Sequence, residues 1–445
     1  MRCLWYSPLL LVLALLTLAA CAGDSPPPGN PTPELAVVVF ATEEPTATAT
    51  SAVAAASPTA AATVGMGVSL TRTEEKASEA GAVSSAANRA PDVNPLTGLK
   101  VDDPALLNRR PLMVRVGNDP AARPQVALNE ADVVYEELVE WWVTRFTAIY
   151  LSQEPEMIAP IRSARLINLY LTPQYQGVLL NSGGSDPVRW ELSQSDIINL
   201  DEFFVPQPYF YRENEGWQTR LAVDATAART YLAEESLDSK VQLRGFEFSS
   251  TLDLSGLPQE AVGEAQEAVI PYPAQTSEAR WQYDPARGQY LRFTSGEPLL
   301  DNESRPLAAS NVIIYFAEHL PTDIVEDSNG ATSIRIVMNG LGTAWLLRDG
   351  KILKGNWQTD GRQTPEFIFN DGRALPLKPG NTWVNVVPVE YEIEIDGVAH
   401  SRLGAAAADE ATVETEEAKP TAAPSPTLTP IGFRARPTPE ATAAP

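Results

Sequence analysis

Arg162 and Arg165 stand three residues apart in "APIRSARLINLY" (159–170), with Ser163 between them. A guanidinium fork matches a carboxylate or a phosphate through two parallel hydrogen bonds. A helix N-terminus adds free N–H groups and partial positive charge. The pattern predicts a helix over 163–175, capped by Ser163, stopped near Pro173 and flanked at its start by the two arginines. A second small-residue turn, "NSGGSD" (181–186), follows the next apolar run. Arg162, Ser163, Arg165, Asn181, Gly183, Gly184 and Ser185 therefore form a candidate anion-binding set. The alternative is structural: the arginines pair with Glu136, Glu137 or Glu140, and the glycines only make a tight turn.

A second set is acidic. On a strand, Asp132, Glu136 and Glu140 share one face. Three carboxylates so spaced suit general acid–base work or a divalent cation, and equally suit an arginine-paired or solvated face. The chain has two histidines, His319 and His400, and neither lies near a nucleophile motif. Its two cysteines, Cys3 and Cys21, both lie at the N-terminus. Ser-His and Cys-His catalysis and a zinc site are thus disfavoured. No catalytic residue, metal or cofactor is assigned. Trp190, Trp217, Trp281, Trp345, Trp357 and Trp383 can stack on sugar rings or fill a core.

The elements that must position these groups read as follows. "PLMVRVG" (111–117) is a short strand, and "ADVVYEELVEWWVTRFTAIYLS" (131–152) is two long ones. "GVLLNSGGSD" (177–186) is a buried strand emptying into a glycine turn, and "DPVRWELSQ" is a helix after it. In a layered α/β domain, loops at the carboxyl ends of strands converge on one edge, so the two loops of the anion set can face one cleft. The second half reads as a β meander, a barrel or a curved sheet, with hairpin turns at Asn339-Gly340 and Asp349-Gly350. The fold class is α+β: an N-terminal α/β layered domain (92–235), a linker (236–277) with one acidic helix, "LPQEAVGEAQEAV" (257–269), and a β-rich C-terminal domain (278–394).

Composition frames these domains. Residues 1–20 carry one arginine and then an apolar run too short for a comfortable span of ~20 residues, which reads as a secretory signal. It ends Leu18-Ala19-Ala20-Cys21, which resembles the bacterial lipobox, whose cysteine is acylated. The implied partner is membrane lipid through acylated Cys21, on the extracytoplasmic face of the cell membrane. Residues 21–91 and 395–445 are rich in Pro, Ala, Thr and Ser, and are expected to be a disordered tether and a disordered tail. The formal net charge of −24 argues against a nucleic-acid partner.

"NPLTGL" (94–99), "ADVVYE" (131–136), "TRF" (144–146), "PIRSAR" (160–165) and "GGSD" (183–186) resemble the N-terminal domain of the YerB-like bacterial lipoproteins. "NVII" (311–314), "DGKILKGNW" (349–357) and "PGNTWVNVVP" (379–388) resemble that family's C-terminal domain. The family is a pair of consecutive domains of unknown function, so the resemblance implies fold and location more than activity. The chain departs from it at Trp141-Trp142, where the family carries two glycines, and at Thr219-Arg220, where it carries a His-Asn pair. More loosely, the order of elements is similar to the LytR–CpsA–Psr phosphotransferases, which hold a polyprenyl pyrophosphate through arginines. Two functions are therefore expected. One is an envelope binding or scaffold lipoprotein whose partner is a glycan, a polyprenyl phosphate or a protein. The other is a phosphotransferase-like or hydrolytic enzyme acting on a phosphorylated envelope substrate.

Overall fold

The computed structural model describes residues 87–402. The signal segment, Cys21, most of the tether and the tail beyond 402 lie outside the described residues. Five strands of the N-terminal half join the main sheet: β1 (Leu112–Gly117), β2 (Val133–Val139), β3 (Val143–Tyr150), β4 (Val178–Asn181) and β5 (Ile198–Asp201), while Tyr209–Tyr211 and Leu221–Val223 pair with each other apart from it. Three helices accompany them: α1 (Asn168–Tyr175), α2 (Asp186–Ser193) and α3 (Ala225–Glu234). Asp224 caps α3, its carboxylate accepting from the amides of Thr226 and Ala227 at 2.8 and 3.1 Å. This half is the mixed α/β region with parallel pairing, and the C-terminal half is β-rich.

One eleven-stranded sheet runs through both halves. β3 lies between β1 and β2, antiparallel to each, while β1, β4 and β5 run parallel. On the other side β2 pairs in parallel with Thr382–Pro388, which pairs in parallel with Asn311–Ala317. Every residue of β1, β2 and these two C-terminal strands is buried, as a sheet covered on both faces requires. One face packs Val114, Val134, Phe146 and Trp383 against Trp281, Tyr290 and α3. The other packs Met113, Tyr135 and Ile149 against Leu171 and Tyr175 of α1 and against Phe246 and Trp357. A second sheet, of seven strands, follows an open path from Glu297–Pro298 to Val398–His400, so the meander forms open sheets and no barrel.

Four local expectations change. The helix predicted from Ser163 begins at Asn168, has Pro173 inside it and ends at Tyr175; residues 163–167 cross the sheet edge as loop. The acidic segment 257–269 is no helix. It is a short 3-10 turn followed by strands Val262–Glu264 and Glu267–Ile270, because its apolar residues are needed as pairing edges for Lys351–Thr359 and Ala279–Asp284. Arg89, placed in the tether by composition, donates to the carbonyls of Arg244 and Phe246 at 2.8 and 2.7 Å. At the other end the ordered chain passes residue 394: Asp396-Gly397, at φ 49° and 81°, turns Ile393–Ile395 back onto Val398–His400. That is the two-residue hairpin signature of an Asp-Gly pair. No helix among the described residues is long and apolar enough to cross a membrane.

Candidate functional site

The two loops of the anion set do meet. The amide of Ser182 donates to the Arg162 carbonyl at 3.1 Å, and the amide of Ala164 to the Gly183 carbonyl at 2.9 Å. The Ser163 hydroxyl donates to the Ser182 carbonyl at 3.0 Å. Ser163 therefore laces the loops together and caps nothing. Gly183 sits at φ 69°, a left-handed position that glycine takes without strain. Its amide is used by Asp201 Oδ1 at 3.2 Å. Asn181 donates its side-chain amide to Asn199 at 2.5 Å. Ser185 precedes α2, but its hydroxyl makes no capping bond and is buried without a hydrogen-bond partner.

The cations are neutralised from within. Arg165 donates through Nε to Glu140 Oε2 at 2.8 Å and through Nη2 to Glu140 Oε1, while Nη1 reaches the Ala164 carbonyl at 2.7 Å. Glu326 Oε2 lies 3.4 Å from the same Nε. Arg162, half-buried, meets Asp119 Oδ2 at 3.2 Å. A cavity of about 10 Å³ separates Arg165 and Glu140 from Ser333, Ile334 and Ile336. That is room for one water, and not for a phosphate.

Two further arginines, on the strands beneath, complete the cluster. Arg115 of β1 donates to Thr147 Oγ1 at 2.5 Å and to the Ser163 carbonyl at 3.4 Å. Its Nη1 lies 2.5 Å from Glu137 Oε1, a contact without hydrogen-bond alignment. Arg145 of β3 reaches the Ser163 carbonyl at 3.3 Å and Glu140 at 3.4 Å. Burial pushes the Glu137 carboxyl up to about 7, and the Arg115 and Arg145 charges only partly oppose it. Burial pushes Glu140 upward too, but the Arg165 hydrogen bonds and the charges of Arg145 and Arg165 outweigh it and hold that group at about 2. Burial, and then the Arg165 charge, lower the Arg145 guanidinium to about 9.

The three carboxylates of the acidic set serve three separate networks. Asp132 accepts from Asn94 at 2.7 Å, from the Ser152 hydroxyl at 2.8 Å and from the Leu151 amide at 2.6 Å; burial outweighs these bonds and raises its pKa. Glu136 accepts from Thr144 at 2.8 Å, Arg292 at 3.1 Å and Trp383 Nε1 at 3.1 Å. Glu140 leaves the strand for the short turn Glu140–Trp142 and serves Arg165. No group of His, Cys, Asp and Glu among the described residues is arranged to hold a metal ion.

A hairpin from the C-terminal half, His319–Val325 with Thr332–Ile336, covers this edge. It supplies Glu326 to Arg165, Asp327 to Trp141 Nε1 at 2.5 Å and Arg335 to Glu191 at 3.2 Å. Trp141 holds φ 65°, an outlier for a bulky residue. Sequence reading had no signal for this cover, since the hairpin lies some 160 residues downstream of the arginines. For Arg115 and Arg145 the signal was present: a cation inside an otherwise apolar strand needs a buried partner.

Of the named tryptophans, Trp281, Trp345, Trp357 and Trp383 are buried in the core, while Trp190 and Trp217 are exposed. Phe203 and Phe204 are exposed as well. Arg189 of α2 lies under Phe203 and Phe204, at 5.1 and 4.8 Å from the ring centres, and Phe203 packs on Gly183.

Comparison with known proteins matches residues 96–240 to the family described as "Protein of unknown function (DUF3048) N-terminal domain" and residues 268–384 to its C-terminal domain. The chain is 29% identical over 301 residues to a Bacillus subtilis (strain 168) protein named "Putative lipoprotein YerB", covering 66% of this chain and 86% of the relative. The crystal structure of YerB protein from Bacillus subtilis is similar at a TM-score of 0.57 and 26% identity, over 66% of this chain and 96% of that one.

Proposed function

We propose, from the premise that this chain belongs to the DUF3048 family and carries both of its domains in order, that it is a membrane-anchored extracytoplasmic lipoprotein that binds or scaffolds components of the cell envelope. The observation that carries the choice of binding over catalysis is the Arg165–Glu140 pair. An enzyme acting on a phosphorylated substrate asks for free cations at this sheet edge. Arg165 instead spends its fork on an internal carboxylate, under a hairpin, beside a cavity of about 10 Å³. Arg162, Ser185 and Gly184 are what is left of the candidate anion seat, with Arg162 engaged by Asp119. Anchoring rests on Leu18-Ala19-Ala20-Cys21 and on likeness to a protein named as a lipoprotein. Several acyl chains on one cysteine hold a protein to a bilayer firmly, at ~0.8 kcal/mol per buried CH₂.

The test is fractionation and ligand response together. Cys21→Ser is expected to move the protein from the membrane to the soluble fraction. The purified parent is expected to keep its melting temperature in the presence of pyrophosphate. A variant that stays membrane-bound overturns the anchor, and a melting temperature raised by several degrees with pyrophosphate overturns the reading of the arginines as internally neutralised.

A further inference from the structure

We infer that the aromatic surface around Phe203, Phe204 and Tyr211 is a glycan-binding platform for uncharged N-acetylhexosamine polymers of the envelope. This deepens the binding function proposed above and rests on it. Among the described residues, seven aromatic side chains are exposed, and six of them fall between Trp190 and Trp217. Trp190 is 66% exposed, Phe203 68%, Phe204 75% and Trp217 76%. Of these, Phe203, Phe204 and Tyr211 are tied to one another through Arg189, Asp201 and Glu202, and such a cluster of exposed rings marks an interaction site.

The rings are held in place. Arg189 lies against Phe203 and Phe204 and is itself fixed by Asp201 at 3.1 Å. Tyr211 donates its hydroxyl to Glu202 at 2.9 Å, and Arg220 lies 4.7 Å over its ring. Glu202 in turn accepts from Ser182 at 2.8 Å, which ties the platform to the lacing of the glycine loop. Rigid aromatic faces of this kind bind at little cost in side-chain entropy.

Charge and reach select the occupant. The charged groups placed at the rings balance, Arg189 and Arg220 against Asp201 and Glu202. A patch so balanced gives neither polyanions nor polycations an electrostatic advantage, which favours an uncharged polymer. Carboxylates beside aromatic rings instead accept hydrogen bonds from sugar hydroxyls and amides while the rings cover the apolar sugar faces. From Cys21 to Ala87 the chain makes 66 residue-to-residue steps, which at ~3.5 Å each span at most about 230 Å. The platform can thus work on polymer lying well off the bilayer.

The experiment uses the full chain carrying Cys21→Ser, with purified peptidoglycan sacculi in co-sedimentation and N-acetylglucosamine hexamer in calorimetry. The parent is expected to sediment with sacculi and to bind the hexamer. The Phe203→Ser/Phe204→Ser double variant, and separately Tyr211→Ser, are expected to lose at least tenfold in affinity at an unchanged melting temperature. Leu341→Ser, at an exposed apolar residue of the other half, is expected to bind like the parent. Absence of parent binding to both glycans overturns the inference, as does parent-like binding by both platform variants. Binding to phosphatidylglycerol vesicles or to a cationic peptide, with none to glycan, overturns it in favour of those partners. Because these measurements use unacylated protein, they fail or succeed independently of the fractionation test of the anchor.

Discussion

Arg165 clasps Glu140 through both arms of its fork, Nε to Oε2 at 2.8 Å and Nη2 to Oε1, at the point where β2 turns into β3. Both side chains are nearly fully buried. Removing one partner of such a pair strands the other charge, at a cost of about 3–5 kcal/mol. Arg165→Ala is therefore expected to lower the unfolding free energy by about 3 kcal/mol in urea titration. Arg162→Ala, which breaks a partly exposed pair with Asp119, is expected to cost below about 1 kcal/mol. Arg165→Met with Glu140→Leu is expected not to recover the loss, because it leaves buried Glu326 without Arg165 and Arg145 without Glu140. Equal costs for the two single variants would contradict the assignment of Arg165 as the structural cation.

Glu137 and Glu140 respond to pH in opposite senses. Glu137 is held at about 7, above its ordinary value of 4.5, so the folded state binds more protons than the unfolded one between those values. The Glu137 contribution to stability is then full below about pH 4.5 and is lost as pH rises toward 7, by on the order of 3 kcal/mol. Glu140 is held at about 2. Its contribution is present above about pH 4.5 and is lost as pH falls toward 2. The Glu137→Gln variant is expected to lose the decline between pH 5 and pH 7 while keeping the acid limb, measured as unfolding free energy against pH. A parent whose stability rises monotonically from pH 5 to pH 8 would rule out the Glu137 part.

What could be read beforehand follows the range of the interactions. β1 to β4, α2 and the Asp349-Gly350 turn were legible because each depends on neighbours within ten or so residues: apolar runs for the strands, Asp186-Pro187 for the start of α2, Asp349-Gly350 for the turn. Asn339-Gly340, read as a second hairpin turn, makes none: Thr332–Ile336 pairs with His319–Val325 and Gly340–Arg348 with Lys351–Thr359, so the dipeptide joins two different sheets. The meeting of loops 162–165 and 181–185 was legible from the topology of an α/β edge. The fate of the arginines was not, because Glu326, Asp327 and the covering hairpin arrive from the other half of the chain. Even Glu140, a candidate partner, is turned toward Arg165 only because β2 ends at Val139. The acidic segment 257–269 misled for the same reason: its composition suits a helix, and long-range strand pairing overrides that preference.

The Asp349-Gly350 turn is a place where short-range reading carries a measurable consequence. Both residues take positive φ, 53° and 73°, as a two-residue turn between the paired strands Gly340–Arg348 and Lys351–Thr359 requires. A Cβ at Gly350 would stand 2.8 Å from Gln266 Nε2 and 3.0 Å from Tyr283 Cδ1. Gly350→Ala is expected to cost about 1–2 kcal/mol, with Gly296→Ala, which meets nothing within 4 Å, costing less despite its own positive φ. A melting-temperature series of the two variants checks the order, and the reverse order would show that the contacts around Gly350 give way freely.

Glu136 ties the two halves together, and this predicts how the protein responds to a cut between them. It sits on β2 and accepts from Arg292 at 3.1 Å and from Trp383 at 3.1 Å, and its own carbonyl accepts from the Tyr272 hydroxyl at 3.0 Å. β2 also pairs in register with Thr382–Pro388, from Val133 opposite Thr382 to Glu137 opposite Val386. We propose that protease acts before about residue 92, after about residue 400 and within 236–277. A cut in the last segment severs one covalent link but leaves the sheet, the buried ion pair and the Phe146–Trp383 ring contact at 5.1 Å in place. The nicked halves are expected to elute together in gel filtration and to separate only in denaturant. Arg292→Met leaves the Glu136 carboxylate buried with neutral donors only, which costs several kcal/mol. In that background the nicked halves are expected to separate at a markedly lower urea concentration. Halves that part spontaneously after nicking the parent would mean that the chain connection, and not the shared sheet, holds them together.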